Sequence, residues 1–270
     1  MTTTGRSTTF THALCRAPAA SVVDGLRAED RGAPDVAAFR AEHEAYVAAL
    51  RATGARVVVL DALEDFPDSV FVEDPALILN GTAIVLRPGA PSRAGEAAAL
   101  RPALERHCDG VVELPRGHVD GGDILCSDTE VMIGLSARTD REGIAALAPL
   151  VEDLGYRLRL VETPPEILHF KTESSLLDPA TVLATPRLAA TGCFAGYRVI
   201  ETAEGEEASA NAIRFNAPVF LSAGHPRTAA TLDAAGYEVV ELATTQAALL
   251  DGGLSCMSLR YSRASGRVGA

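Results

Sequence analysis

The stretch AYVAALRATGARVVVLDA, residues 45–62, decides the fold because it joins an amphipathic helical pattern, a glycine and a short apolar strand pattern. Three other segments repeat this layout and one shorter segment is similar: ALRPALERHCDGVVELP (99–115), IAALAPLVEDLGYRLRLVE (144–162), AATLDAAGYEVVELA (229–243) and PRLAATGCFAGYRVIET (186–202). A supersecondary unit that recurs along a chain is typical of repeat folds. The sequence therefore predicts five copies of one module.

Each helical pattern is followed by a glycine, a residue that accepts the left-handed backbone conformation at a helix end without steric strain. We expect this role for five glycines: Gly54, Gly110, Gly155, Gly196 and Gly236.

Hairpin patterns separate the helical segments, each with two β-rich runs around a turn. They are DPALILNGTAIVLR around Asn80-Gly81, DILCSDTEVMIGL around Ser127-Asp128, SSLLDPATVLA around Asp178-Pro179 and NAIRFNAPVFLS around Asn216 to Pro218. The module is thus strand, strand, helix, strand. For the fifth hairpin, LSCMSLRY near the C-terminus and FTHALCRAP near the N-terminus are both strand-like, and their pairing would close a ring.

These patterns predict an α/β fold, a five-bladed pseudo-symmetric α/β propeller that forms a single catalytic domain over residues 1–270. No Pro-, Gly- or Ser-rich linker divides the chain. The alternative is a doubly wound α/β sheet, which alternating strands and helices also permit. The hairpins argue against it, because parallel crossovers do not need them.

The composition narrows the range of partners. A hydrophobic share of 47% and a charged share of 22% are typical of globular proteins, and the formal net charge of -12 argues against nucleic acid or an anionic membrane as a partner. The N-terminus has no signal-peptide pattern, no stretch is apolar enough for a membrane span, and five scattered cysteines indicate a reduced chain. We expect a cytoplasmic protein with a small-molecule partner, no cofactor and no metal, and the formation of a homo-oligomer stays open.

Four segments carry polar residues at strand entries, where the modules would converge. PDSVFVED contains Asp68, Glu73 and Asp74, and HVDGGDILC contains Asp120 and Asp123 beside a glycine pair. His169 stands in ILHFKTESSLL, and DGGLSC contains Asp251 and Cys256. Taken singly, each has an ordinary structural explanation, as a solvated acidic turn, a core histidine or a buried thiol.

Together with other motifs, these segments resemble the dimethylarginine dimethylaminohydrolases of the guanidino-group modifying superfamily, whose fold is the fivefold α/β propeller called the pentein fold. The resemblance covers almost the whole chain in seven ordered motifs: HALCRAP, PDSVFVED, RPGAPSR, DGGDIL, GLSART, HFK and DGGLSC. It implies Cys256 as the nucleophile, His169 as the general acid and base, and Asp120 as the carboxylate that orients His169. It further implies a covalent thiouronium intermediate on the cysteine and the release of citrulline with methylamine or dimethylamine.

The resemblance also implies a substrate-binding set. Asp68, Glu73 and Asp251 match positions near the guanidinium or the ammonium of the ligand, and Asp74 supports the site. Arg93 and Arg138 match the two arginines that bind the substrate carboxylate. The lid expected over the site, residues 16–25, matches the family only loosely.

Two other functions stay open at this stage. One is an arginine deiminase or another hydrolase of guanidino or amidine compounds, against which Lys171 argues because deiminases typically have an aspartate two positions after the histidine. The other is a non-catalytic propeller that binds arginine analogues, against which the joint presence of Cys256, His169 and Asp120 argues.

Overall fold

The computed structural model describes residues 5–263, so the first four residues of the N-terminal segment in which no signal peptide was expected lie outside it. The strands in chain order are β1 (His12–Arg16), β2 (Arg56–Leu60), β3 (Ala76–Leu79), β4 (Thr82–Val85), β5 (Gly110–Glu113), β6 (Ile124–Cys126), β7 (Glu130–Leu135), β8 (Arg157–Glu162), β9 (Ser174–Asp178), β10 (Thr181–Ala184), β11 (Arg198–Glu201), β12 (Ile213–Arg214), β13 (Pro218–Ser222), β14 (Glu238–Leu242) and β15 (Leu259–Tyr261). The α-helices are α1 (Val36–Ala52), α2 (Glu96–His107), α3 (Arg141–Asp153), α4 (Pro186–Ala189), α5 (Pro226–Ala234) and α6 (Thr245–Ala248).

The strands form five sheets of three strands each, in the orders β3-β4-β5, β6-β7-β8, β9-β10-β11, β12-β13-β14 and β15-β1-β2. In every sheet the first strand is antiparallel to the middle strand, and the middle strand is parallel to the third. A helix connects the two parallel strands, as a parallel crossover requires. The predicted module is therefore confirmed, and the doubly wound alternative is wrong because each sheet stops at three strands and contains a hairpin pair.

The two ends of the described chain close the ring. Strand β1 pairs with β15, with His12 opposite Tyr261 and Leu14 opposite Leu259, and β1 also pairs with β2. The first strands of neighbouring sheets contact one another, β3 with β15, β6 with β9 and β9 with β12. We call β3, β6, β9, β12 and β15 the inner strands, because they surround the axis of the ring.

Turn chemistry fixes the hairpins. Asn80 and Gly81 have φ of 49° and 80°, the positive values that a two-residue type I′ hairpin needs, and Asn216 has φ of 60°. Asparagine tolerates this conformation better than most residues because its short side chain can form local hydrogen bonds.

Four of the five predicted glycine stops have positive φ, between 85° and 95°: Gly54, Gly155, Gly196 and Gly236. The prediction for Gly110 is wrong. Helix α2 ends at His107, and Cys108 is already extended with φ of -107° and ψ of 162°, so the chain needs no left-handed residue before Gly110 begins β5.

The helices pack on the outside of the ring through their apolar faces. Helix α1 buries Phe39, Tyr46 and Leu50 completely in a core that also contains Phe215 and Phe220. Burial of side chains of this size contributes about 1.5–3 kcal/mol each to stability. Between residues 5 and 263, no helix combines the length and apolarity that crossing a membrane would take.

Candidate active site

A pocket of about 140 Å³ lies where the chain enters the inner strands. Seven of the nine side chains predicted for the site line it: Asp68, Asp74, Arg93, Arg138, His169, Asp251 and Cys256. Asp120 lies directly behind His169, and Glu73 lies elsewhere. Residues more than 180 positions apart in the chain therefore share one small cavity.

The imidazole of His169 is held by a buried carboxylate. Its Nε2 lies 3.0 Å from Oδ2 of Asp120, which is fully buried. The other oxygen of Asp120 accepts the backbone N–H of Gly89 at 2.7 Å, and the backbone N–H of Asp120 donates to Oγ1 of Thr139 at 3.1 Å. These bonds fix the carboxylate, which in turn fixes the ring orientation of His169, as in other catalytic histidine–carboxylate pairs.

A second carboxylate, Asp123, connects the residue after His169 by a hydrogen bond to the loop that contains Asp120. It accepts the backbone N–H of Phe170 at 2.9 Å and the hydroxyls of Ser136 and Thr139 at 2.7 and 2.6 Å. The backbone on the C-terminal side of His169 is thus held independently of its side chain.

Gly122 allows the backbone to approach the imidazole. A Cβ at this position would lie 2.7 Å from Nδ1 of His169 and 2.9 Å from Oδ1 of Asp74, closer than carbon atoms normally come. The backbone N–H of Gly122 donates to that same oxygen of Asp74 at 2.9 Å. The site therefore requires glycine here, a reason for the Gly-Gly pair that the sequence alone did not supply.

Surrounding carboxylates keep the imidazole protonated. Burial lowers the pKa of His169, but the charges of Asp74 and Asp123 and the hydrogen bond to Asp120 outweigh it and raise the pKa to about 9. Around neutral pH, His169 is therefore an imidazolium that can donate a proton.

Cys256 faces the pocket from a short 3-10 turn, Ser255–Met257. Burial, together with the negative charges of Glu73 and Asp74, raises the pKa of its thiol to about 11. With these pKa values, the Cys256 thiol is neutral and His169 is an imidazolium around neutral pH. The side-chain amide of Asn211 lies 3.8 Å from the sulfur.

Asp74 faces the pocket as a permanently charged carboxylate. Burial raises its pKa, but the guanidinium of Arg93 and the charge of His169 outweigh burial and lower the pKa to about 2. Arg93 is itself buried and bonds to Asp74, to Glu96 and to the carbonyl oxygen of Phe71. Arg93 lines the pocket, so its predicted contact with a substrate carboxylate stays a prediction, although most of its donors are already engaged.

Glu73 is the predicted substrate ligand that the structure places outside this pocket. Its carboxylate pairs with Lys171 at 2.6 Å and with Arg260 at 2.5 Å, and it accepts the hydroxyl of Ser255 at 3.0 Å. These groups line a different cavity, of about 440 Å³, whereas the adjacent Asp74 lines the pocket of about 140 Å³.

Asp68 and Asp251 hold a segment of the N-terminal region over the pocket. Asp68 accepts the backbone N–H of Leu26 at 2.9 Å, and Asp251 accepts that of Ala28 at 2.6 Å. The segment 26–28 lines the pocket, whereas the lid was expected at residues 16–25. Val22 anchors the earlier part in the core through a 3-10 turn, so the chain reaches the pocket only after that turn.

Arg138 differs from Arg93 in having an unengaged guanidinium. Within residues 5–263 its side chain forms no ion pair, and only its backbone N–H is bonded, to Oγ of Ser136 at 3.0 Å. A free planar fork of donors is the geometry that binds a carboxylate with two parallel hydrogen bonds.

Several residues of the site were not predicted from the sequence. In the sequence, Asn211 marks only the start of a hairpin, and Thr139 and Gly89 are only parts of motifs. The signal for Asn211 was present, because it stands just before an inner strand, as Asp74 does.

Three site groups lie close enough to bind a metal ion, since the ligand atoms of Asp74, Asp120 and His169 all lie within 4.8 Å of one another. Both carboxylates already have partners there, Asp74 in Arg93 and Asp120 in His169. The same arrangement thus places the imidazolium of His169 between the carboxylates of Asp74 and Asp120.

Known proteins similar to this chain cover most of its length. The profile of the eukaryotic N,N dimethylarginine dimethylhydrolase family matches residues 29–168. The N(G),N(G)-dimethylarginine dimethylaminohydrolase of Pseudomonas aeruginosa is 39% identical over 254 residues, which cover 93% of this chain and all of that protein. The chain belongs to the dimethylarginine dimethylaminohydrolase family. The Streptomyces coelicolor member is 34% identical over 63% of this chain and 67% of its own length.

Solved structures of the family have the same fold. A cysteine-to-serine variant of the Pseudomonas aeruginosa enzyme complexed with citrulline superposes with a TM-score of 0.90 at 37% identity, over 94% of this chain and all of that one. The N-terminal domain of the cyanobacterial arginine dihydrolase ArgZ superposes with a TM-score of 0.84 at 18% identity, over 93% of this chain and 97% of that one. At this lower identity the likeness concerns the fold alone.

Proposed function

We propose that this chain hydrolyses Nω-methylated arginine, either asymmetric dimethylarginine or monomethylarginine, to citrulline and dimethylamine or methylamine. The observation that carries the proposal is that Cys256 and His169 line one pocket, where His169 is held by the buried Asp120. A relative named for this reaction, which matches 93% of the chain, supports it.

The first step is attack of the Cys256 sulfur on the central guanidinium carbon. The raised thiol pKa means that the nucleophile forms only when a positive charge arrives, and the guanidinium of the substrate brings that charge. The thiol releases its proton to solvent as the thiolate forms, and a sulfur–carbon bond forms. The bond from carbon to the methylated nitrogen then breaks, and the imidazolium of His169 donates a proton to the departing amine. A thiouronium remains on Cys256.

The second step removes that intermediate. His169 is now neutral and accepts a proton from water, whose oxygen attacks the thiouronium carbon. The carbon–sulfur bond breaks, citrulline leaves, and the sulfur and the imidazole recover their starting protonation. Asp120 holds one orientation of the ring through both steps, because its own position is fixed by Gly89 and Thr139.

Recognition of the substrate follows from the charges that line the pocket. Asp74 faces the position of the guanidinium, whose N–H groups need carboxylate acceptors. Arg138 binds the α-carboxylate with its free guanidinium, with Arg93 adding a fixed positive charge. Asp68 and Asp251 hold segment 26–28, which closes the pocket over the α-amino end.

Lys171 supports the preference for a substituted nitrogen. Its ammonium points away from the pocket into the pair with Glu73. The chain therefore lacks, at this position, the aspartate that deiminases typically direct at an unsubstituted guanidinium.

The test is citrulline release from asymmetric dimethylarginine, monomethylarginine and free arginine in parallel. We expect the methylated compounds to react and arginine not to react. Cys256→Ser should lower kcat by about 10⁴-fold or more, the scale seen when a nucleophile is removed. Cys126→Ser makes the same chemical change in the other cavity and should keep full activity.

Other results would lead to other functions. Reaction of arginine alone would indicate a deiminase. Binding of methylated arginine without any citrulline would indicate a non-catalytic binding protein, and an active Cys256→Ser variant would contradict the covalent route.

We also propose a cytoplasmic location, supported by the absence of a disulfide among the five cysteines, all of which lie in the described part of the chain. A disulfide detected by mass spectrometry of non-reduced protein from cells would contradict it.

A further inference from the structure

The fivefold symmetry of the ring gives each inner strand an equivalent entry, by which we mean the few residues that directly precede the strand. Four entries carry a group already placed in the site: Asp74 before β3, Asp120 before β6, His169 before β9 and Cys256 before β15. Each of these groups stands two to five residues before its strand. The remaining module, whose inner strand is β12, has Asn211 at its entry, two residues before Ile213.

Asn211 is buried, with 7% of its surface exposed. Its side chain lies against residues 253–256, the loop that carries the proposed nucleophile. Oδ1 accepts the backbone N–H of Ser255 at 2.9 Å, and Nδ2 lies 3.8 Å from Sγ of Cys256. The chain also passes close at Gly253, where a Cβ would lie 2.6 Å from the amide carbon of Asn211.

The bond from Ser255 fixes which end of the amide faces the sulfur. A backbone N–H can only donate, so the amide oxygen must face Ser255 and the NH₂ group must face Cys256. The carboxylates near the sulfur, Glu73 and Asp74, disfavour a negative charge there, whereas the backbone N–H of Gly253 and the charge of Lys171 favour it. Asn211 thus offers the thiolate a neutral donor on a side chain whose orientation is already set.

We propose that Asn211 is the fifth functional residue of the ring. Its side chain positions Cys256, and its Nδ2 donates a hydrogen bond to the sulfur of Cys256 when the thiolate forms. This inference rests on the proposed function for its catalytic meaning, but the contact with the thiol can be tested without turnover. A hydrogen bond to the charged form of an acid favours that form. Loss of the donor should therefore make Cys256 harder to ionise.

The experiment measures the rate of alkylation of Cys256 by iodoacetamide as a function of pH in the folded protein. The tryptic peptide 228–260 contains Cys256 as its only cysteine, so mass spectrometry isolates its modification from that of the other four. Asn211→Asp keeps an oxygen for Ser255 but loses the donor, and Asn211→Ala loses both without adding charge. Asn80→Asp, at an exposed hairpin turn, is the matched control for the added charge.

We expect the alkylation midpoint of Cys256 to rise by about one pH unit or more in both Asn211 variants, which is roughly a tenfold lower alkylation rate at a fixed pH below the midpoint. It should not move in Asn80→Asp. In citrulline release, kcat should fall about tenfold or more while KM changes little, because the donor serves the thiolate rather than substrate binding.

Two results would overturn the inference. A midpoint that rises only in Asn211→Asp would show that charge alone acts on the thiol, and a midpoint unchanged in both variants would show a purely structural role. Circular dichroism and thermal melting verify folding, and Asn211→Ser replaces the alanine variant should that protein not fold. Because alkylation needs no substrate, a wild-type protein that released no citrulline would refute the proposed function without deciding the role of Asn211.

Discussion

Two cavities of the ring are lined by different chemical groups. The catalytic pocket, about 140 Å³, is lined by Asp74, His169 and Cys256, whereas the other cavity, about 440 Å³, is lined by Lys171 and Arg260 among others. We call the second one the far cavity. It is about three times larger, yet no histidine is among the described residues that line it. We therefore expect the position of the reaction to follow from side-chain pairing and not from volume.

Adjacent residues in the chain supply the two cavities. Asp74 and Cys256 face the catalytic pocket, while their neighbours Glu73 and Ser255 face the far cavity and bond to each other at 3.0 Å. Matched substitutions of residues that line one cavity or the other can test whether chemistry is confined to one of them.

The largest contrast should come from removing one carboxylate charge on each side. Asp120→Asn should lower kcat by about 10³-fold or more, because the imidazolium of His169 loses the partner that orients and stabilises it. Glu73→Gln should lower kcat less than about tenfold, although it frees Lys171 and Arg260 and should lower the melting temperature. Steady-state kinetics with thermal melting measures both. Equal losses of kcat would mean that Glu73 acts on the substrate, as the sequence first indicated.

A smaller effect should follow from adding one methyl group behind the histidine. Gly122→Ala should lower kcat by about 10²-fold, because its Cβ displaces the imidazole and Asp74 from their positions. Gly110→Ala is the control, since its Cβ would meet only Thr82, at 3.6 Å, and should change nothing. Citrulline release compares the two variants. Full activity of Gly122→Ala would show that the site tolerates a shift of the ring.

A third comparison uses two arginines, one on each side. Arg138→Ala should raise KM by roughly 10- to 30-fold with a smaller change in kcat, because a charge-assisted bond to the substrate carboxylate is lost. Arg6→Ala, in the far cavity, should leave KM unchanged. The ligand agmatine, which resembles arginine without the carboxylate, offers a check: its binding, followed by calorimetry, should not respond to Arg138→Ala.

The smallest effect is a displacement of the pH profile. The pKa of His169 is raised to about 9, so the acid form that protonates the leaving amine is present below that value and is lost above it. Activity should accordingly decline above about pH 9. Glu73→Gln should leave this alkaline limb in place, whereas Asp120→Asn should move it to lower pH, since Asp120 is one of the groups that raise the pKa. If the alkaline limb stayed at the same pH in Asp120→Asn, a group other than His169 would be responsible for it.

Much of the fold was predictable because local signals specify it. Glycine stops, the Asn80-Gly81 turn and alternating apolar runs each act over a few residues, and their fivefold repetition indicated the ring before any tertiary contact was known. Gly110 is the exception. A glycine pattern shows where a turn is permitted, and the backbone around Cys108 shows that none is needed there.

The site was predictable in part. Motifs identified Cys256, His169 and Asp120, but they could not show which of Glu73 and Asp74 faces the pocket, because two adjacent carboxylates are equivalent in the sequence. The place of Asn211 just before a strand was visible in the sequence, but its importance depends on its distance to a sulfur 45 residues away in the chain, which no motif gives.

The sequence by itself determined the repeated module, the closure of the ring by its two ends and the chemical groups available at the strand entries, since these depend on the local backbone and on residue type. Only the tertiary structure decided how those groups are divided between the two cavities. The reason is electrostatic and steric. The pKa values of His169 and Cys256 depend on the charges around them in space, and those charges come from all parts of the ring.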